Sequence, residues 1–144
     1  RISSAGMPTR AQFAAISDAG FDIVVNLAPP DALGGHADEQ ALVERHGMRY
    51  FSVPVDFSSP RVEDFVRFAQ ILRDNRDQRI LVHCQLNLRA SSFVFLYRTI
   101  ELGEDAEIAY EDVARVWQPS THWRTFMRGI LVEYGRSTPM EFAP

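Results

Sequence analysis

Helix-like and strand-like patterns of apolar and polar residues alternate along the chain, which predicts a parallel sheet flanked by helices. TRAQFAAISDAG (9–20) reads as a first helix closed by Gly20, and FDIVVNL (21–27) as a short buried strand that stops at APPD. The breaker-rich loop APPDALGGH leads to a second helix, ADEQALVERHG, ending at Gly47, and a second strand, MRYFSVPV. In SSPRVEDFVRFAQIL, Ser59 is the expected N-cap and Pro60 the first helical residue, with Val62, Phe65, Phe68 and Leu72 on one apolar face. RILVHC (79–84) is a third strand. Residues 90–102 are apolar nearly all round, so their helix belongs at the centre of the domain, with Gly103 as its C-terminal cap. DAEIAYEDVARVW and THWRTFMRGILVEYG add two more helices, and residues 136–144 read as a loose tail. Residues 1–8 carry no element in this reading, and residues 1–9 lack the charged start and apolar centre of a signal peptide.

A chain of 144 residues fits one domain, 1–144. With 46% hydrophobic and 24% charged residues it can bury a real core, so disorder is excluded as its working state. The net charge of -4 argues against a broad basic surface for nucleic acid, so any anion site has to be local. All fifteen basic residues are Arg; the absence of Lys removes Schiff-base chemistry and the lysine-dependent nucleotide sites. One cysteine permits no internal disulfide, and one Cys with four scattered His gives no zinc spacing, so no metal is expected and a reducing, cytoplasmic setting is. No apolar run approaches the length of a membrane span, and no membrane partner is expected.

The candidate chemistry sits in HCQLNLRAS (83–91). A loop between a strand and a helix gathers backbone N–H groups at the positive end of the helix, a ready anion site. The same dipoles and the Arg89 cation favour a Cys84 thiolate, placing a nucleophile beside a phosphate-sized cradle. Asn87 suits the left-handed turn such a loop needs, and Arg89 offers planar donors for two phosphate oxygens at once. Ser91 is the candidate donor to the sulfur when it leaves in a hydrolytic second step. Gln85, Leu86, Asn87, Leu88, Ala90 and Ser91 make up the rest of the cradle.

VHCQLNLRAS resembles the phosphate-binding loop of the cysteine-dependent tyrosine and dual-specificity phosphatases, and more narrowly a bacterial tyrosine phosphatase-like branch of that superfamily. ISSAGMPTRAQFAAISDAGFDIVVNL is similar to that branch's opening, with its small residue, Gly, any, Pro turn. YFSVPVDFSSP and VWQPSTHW extend the likeness over roughly residues 3–135. One departure stands out: four residues separate Cys84 from Arg89, where the superfamily has five. Aligned on length, Ala90 takes the arginine's place and Ser91 the hydroxyl residue's; otherwise the loop is one residue tighter and Arg89 keeps the usual role. One helical residue is a turn of about 100°, so the two registers aim the arginine differently.

The resemblance implies a three-layer α/β fold with a short, mainly parallel central sheet. It implies phosphate-monoester hydrolysis through a phosphocysteine on Cys84, with a phosphorylated partner as substrate and no cofactor. By position after YFSVPV, Asp56 corresponds to the superfamily's general acid, against the simpler reading of a turn residue binding backbone N–H groups. Asp64, inside the next helix, is a weaker alternative acid. His83 corresponds to a histidine that orders the loop by a hydrogen bond. His36, His46 and His122 read as loop or helix-end residues, with His122 and Trp123 a lesser possibility at the pocket rim. Two other chemistries fit the same loop: sulfur transfer through a Cys84 persulfide, as in rhodaneses, and anion binding without turnover.

Overall fold

The computed structural model describes residues 1–143. Four strands, β1 (Ile2–Ala5), β2 (Ile23–Asn26), β3 (Arg49–Ser52) and β4 (Ile80–His83), form one parallel sheet in the order β1-β4-β2-β3. β4 is thus an interior strand, with His83 in register with Ala5 on one side and Asn26 on the other. β2 and β4 are buried at every position, as strands covered on both faces must be.

On one face lie α1 (Gln12–Asp18) and α2 (Glu39–Arg45), packed through Phe13, Leu42 and Val43 against Val24 and Met48. On the other lie α3 (Val62–Asp74), α4 (Leu88–Ile100), α5 (Ala106–Val116) and α6 (Thr121–Glu133). Their core joins Ile23, Val25, Ile80 and Val82 of the sheet to Phe65, Phe68, Phe93, Phe95, Leu96 and Trp123. Each such side chain, fully buried, contributes about 1.5–3 kcal/mol. α4 is enclosed on nearly all sides: apart from Leu88 at its start, only Arg98 of its thirteen residues escapes burial, in keeping with a sequence apolar nearly all round.

The structure corrects four sequence expectations. The segment before residue 9 holds β1, which ISSA is too short and too polar to announce; only its pairing with β4 makes it a strand. α3 begins at Val62 with Arg61 as N-cap, not at Ser59 and Pro60, and the Asp64 carboxylate reaches back 3.3 Å to the Arg61 N–H. Val62, expected on the buried face, is 41% exposed. The tail is not loose throughout: a short 3-10 helix, Met140–Phe142, seats Phe142 against Phe95 and Tyr110, and the Phe142 carbonyl accepts from Arg128. Pro144, the last residue of that tail, lies outside the described residues.

Candidate active site

Cys84 follows directly on β4, where the chain leaves the C-terminal end of an interior strand; in open parallel sheets, ligands gather at this edge. Residues 85–87 turn the chain, and α4 begins at Leu88. The turn works because Asn87 takes the left-handed conformation, φ 67°, the one non-glycine residue among those described to do so. Among the described residues no acceptor takes the N–H groups of Gln85, Leu86 or Asn87, and the first N–H groups of α4 have no partner a turn earlier. These donors and the helix's positive end are what an anion cradle requires.

The cysteine side chain is fully buried at the floor of a cavity of about 200 Å³, lined by Phe57, Cys84, Gln85, Leu86, Leu88 and Arg89. Its Sγ accepts from the Ala90 N–H at 3.4 Å. Ser91, expected to donate to the sulfur, does not: its hydroxyl donates to the Leu88 carbonyl at 3.2 Å, the back-bonding that Ser adopts inside a helix. The backbone of Ala90 stands in that place instead.

Arg89 is 6% exposed and lines the cavity from the second position of α4. Its Nη1 donates to the Val55 carbonyl at 2.9 Å, and its guanidinium lies 5.9 Å from the centre of the Phe57 ring. One donor is thus spent on the loop after β3, and the others remain for a ligand. Despite the four-residue spacing, Cys84 and Arg89 face one space.

Asp56 lies between these two contacts of Arg89, in an exposed turn. Its Oδ1 accepts from the Ser58 N–H at 2.9 Å, the local turn bond that its sequence context allows. Asp64 is occupied in capping α3, and burial raises its carboxyl above the ordinary carboxylate range. His83 is fully buried behind the loop, its Nδ1 3.3 Å from the Cys84 carbonyl oxygen. His36 is partly buried, 2.8 Å from the Pro8 carbonyl, and His122 is exposed and does not line the cavity. Among the described residues no group of three or more His, Cys, Asp or Glu could hold a metal ion.

Several supports of the site carried little or no signal in the sequence. Gly6, in the turn after β1, packs on the loop so closely that a Cβ there would lie 3.0 Å from the Gln85 carbonyl oxygen. The adjacent Met7 N–H donates to that same oxygen at 3.0 Å. The turn's small residue, Gly, any, Pro pattern was the available clue. Trp123, buried in the first turn of α6, donates its indole N–H to the Phe57 carbonyl at 2.9 Å and packs on the Phe57 ring, so α6 fixes the Asp56 turn. No local pattern links positions 66 residues apart.

No protein-family model matches the chain, and no curated protein matches it in sequence. Solved structures do. The chain is 30% identical to a protein of Shewanella putrefaciens CN-32 described as a candidate phosphatase (DUF442), over 92% of this chain and 87% of that one, with a TM-score of 0.85. A kinase associated phosphatase with its catalytic-site cysteine replaced by serine shares the fold at 9% identity, over 94% of this chain and 88% of the other, TM-score 0.80. A Cys-to-Ser variant of Pseudomonas aeruginosa TpbA, in complex with phosphotyrosine, is similar at 15% identity, over 94% and 87%, TM-score 0.62.

Proposed function

The chain belongs to the bacterial tyrosine phosphatase-like (DUF442) family of the cysteine-dependent phosphatase superfamily, and on that premise we propose that it hydrolyses phosphate monoesters through a phosphocysteine on Cys84. The observation that carries this reading is the convergence of the Cys84 sulfur, the Arg89 guanidinium and the unpaired loop N–H groups on one cavity. In the first step the Cys84 thiolate attacks phosphorus, the P–S bond forms and the P–O ester bond breaks. Asp56, which is exposed and is the chain neighbour of Val55 and Phe57, the two residues Arg89 contacts, gives its proton to the leaving oxygen. Water then attacks the phosphocysteine, Asp56 takes its proton, the P–S bond breaks and inorganic phosphate leaves. Through both steps the loop N–H groups and Arg89 hold the equatorial oxygens, where charge develops in each transition state.

The cavity, at about 200 Å³, is below the ~300 Å³ at which pockets for drug-sized ligands begin. It suits a phosphoryl group and the first atoms of its ester. Phe57, Leu86 and Leu88 give it apolar walls, which favours an aryl ester; TpbA, which holds phosphotyrosine, supports the same class.

Hydrolysis of a small aryl phosphate between about pH 5 and 7, with chelator present, tests this directly. Turnover should vanish in Cys84→Ser and fall in Arg89→Ala and Asp56→Asn. A parent protein no faster than Cys84→Ser would overturn the phosphatase reading. Asp56→Asn equal to the parent on a substrate with a poor leaving group would remove Asp56 from it.

A further inference from the structure

Behind the phosphate loop lies a buried polar cluster that the proposed chemistry leaves unused. Glu39, the first residue of α2, is 3% exposed, and its Oε2 lies 2.6 Å from Nε2 of the fully buried His83. Its Oε1 accepts from Asn26 Nδ2 at 3.4 Å, and that nitrogen also donates to the Tyr50 hydroxyl at 3.1 Å. The Asn26 Oδ1 accepts from the Ala28 N–H at 2.8 Å. Three strands and α2 therefore meet in one polar network on the face of the sheet that Phe13, Leu42, Val43 and Met48 otherwise make apolar.

Burying a carboxyl at this depth costs several kcal/mol, which only close pairing offsets. A glutamate in the first turn of α2 would complement the helix dipole equally well from solvent. Its inward placement calls for another cause, and the second ring nitrogen of His83 supplies one. Nδ1 faces the Cys84 carbonyl oxygen at 3.3 Å. A carbonyl only accepts, so this contact is a hydrogen bond only with a proton on Nδ1. The 2.6 Å contact between Nε2 and a carboxyl oxygen needs its own proton. Whether that shared proton rests on nitrogen or oxygen, Nδ1–H is left donating to the peptide of the nucleophile.

We propose that Glu39 is a positioning residue: it fixes the ring and proton of His83 so that Nδ1–H holds the Cys84 carbonyl, and with it the start of the phosphate loop. The catalytic consequence rests on the phosphatase reading, since only there does Cys84 attack phosphorus. Asn26 and Tyr50 act one step further out, by orienting the carboxyl. The arrangement follows the logic by which a carboxylate sets the tautomer of a histidine that works through its other nitrogen.

Two readouts test it. Long-range proton–nitrogen NMR of ¹⁵N-histidine-labelled protein, with His83 assigned by its loss in His83→Asn, should show Nδ1 protonated in the parent. Glu39→Gln keeps both contacts, because the amide accepts from Asn26 and donates to Nε2, so Nδ1–H should persist. Glu39→Leu removes the partner, and its kcat should fall by roughly tenfold while KM and the Glu39→Gln kcat stay within about threefold of the parent. A bare Nδ1 in the parent, or a folded Glu39→Leu with the parent's kcat, would overturn the proposal. Should Glu39→Leu fail to fold, the parent spectrum and Glu39→Gln still decide. If the parent shows no Cys84-dependent turnover, the phosphatase reading fails, and the spectra alone judge whether Glu39 fixes His83.

Discussion

Gly6→Ala places a single methyl group against the phosphate loop, and its consequences can be worked from distances. The new Cβ would lie 3.0 Å from the Gln85 carbonyl oxygen, 3.6 Å from Leu86 Cα and 3.8 Å from the Asn87 nitrogen. That Cβ–oxygen contact is tighter than nearly all real ones, so a few tenths of an ångström must be given up by one side or the other. The obstacle is backbone, not the end of a flexible side chain. Either β1 shifts out of register with β4, or residues 85–87 move toward the cavity, and both strain the 3.0 Å bond from the Met7 N–H to Gln85. Overpacking of this kind costs about 1–3 kcal/mol. For a chain of this size that lowers the thermal midpoint by about 3–10 °C. A loop displaced by a few tenths of an ångström should also lose roughly fourfold in kcat, given that 1 Å can cost about a hundredfold. Thermal unfolding followed by circular dichroism gives the first number and aryl-phosphate turnover the second. Gly6→Ser should resemble Gly6→Ala, since the same Cβ is present. A Gly6→Ala protein with the parent's midpoint and turnover would refute the argument that Gly6 is required by close approach.

Other consequences are equally direct. Trp123→Phe removes the indole donor to the Phe57 carbonyl and leaves a void in the core; a loss of about 2–4 kcal/mol in urea unfolding, with reduced kcat from a loosened Asp56 turn, is expected. Phe142→Ala should cost about 3 kcal/mol, whereas a truly loose tail would leave the urea midpoint unchanged. Burial, helped by the Glu141 charge, pushes the Tyr110 hydroxyl up to about 12, above its unfolded value near 10. Its contribution is therefore full below about pH 10 and lost as pH rises toward about 12, so Tyr110→Phe should gain stability relative to the parent between those limits; equal alkaline unfolding curves would contradict this. Arg89→Lys keeps the charge but not the planar fork, and should lose kcat while retaining a basic cavity, which turnover and phosphate inhibition together would reveal.

Much of this protein was written into local stretches of the chain. The apolar runs of β2 and β4, the all-round apolar α4 and the spacing of strand, Cys84, turn and helix gave the layered α/β fold and the position of the cradle, because these follow from periodicity alone. Asn87 announced its left-handed turn because few other residues accept that conformation. β1 could not be read, since four residues with two serines form a strand only beside β4. Nor could the true start of α3, where the Asp64 reach-back to Arg61 prevailed over the Ser-Pro pattern. The direction of a side chain was equally beyond the sequence: Ser91 turned back onto Leu88, and Arg89 met Cys84 in one cavity despite its short spacing. Gly6, Glu39 and Trp123 brace the loop from positions far away in the chain, where each passes for a turn, a helix-start acid or a core aromatic. Periodicity fixes which face of an element is buried, and chemistry at a turn can be local. Which distant groups meet there is decided only when the elements pack, because burial and hydrogen bonding are satisfied by neighbours in space and not by neighbours in sequence.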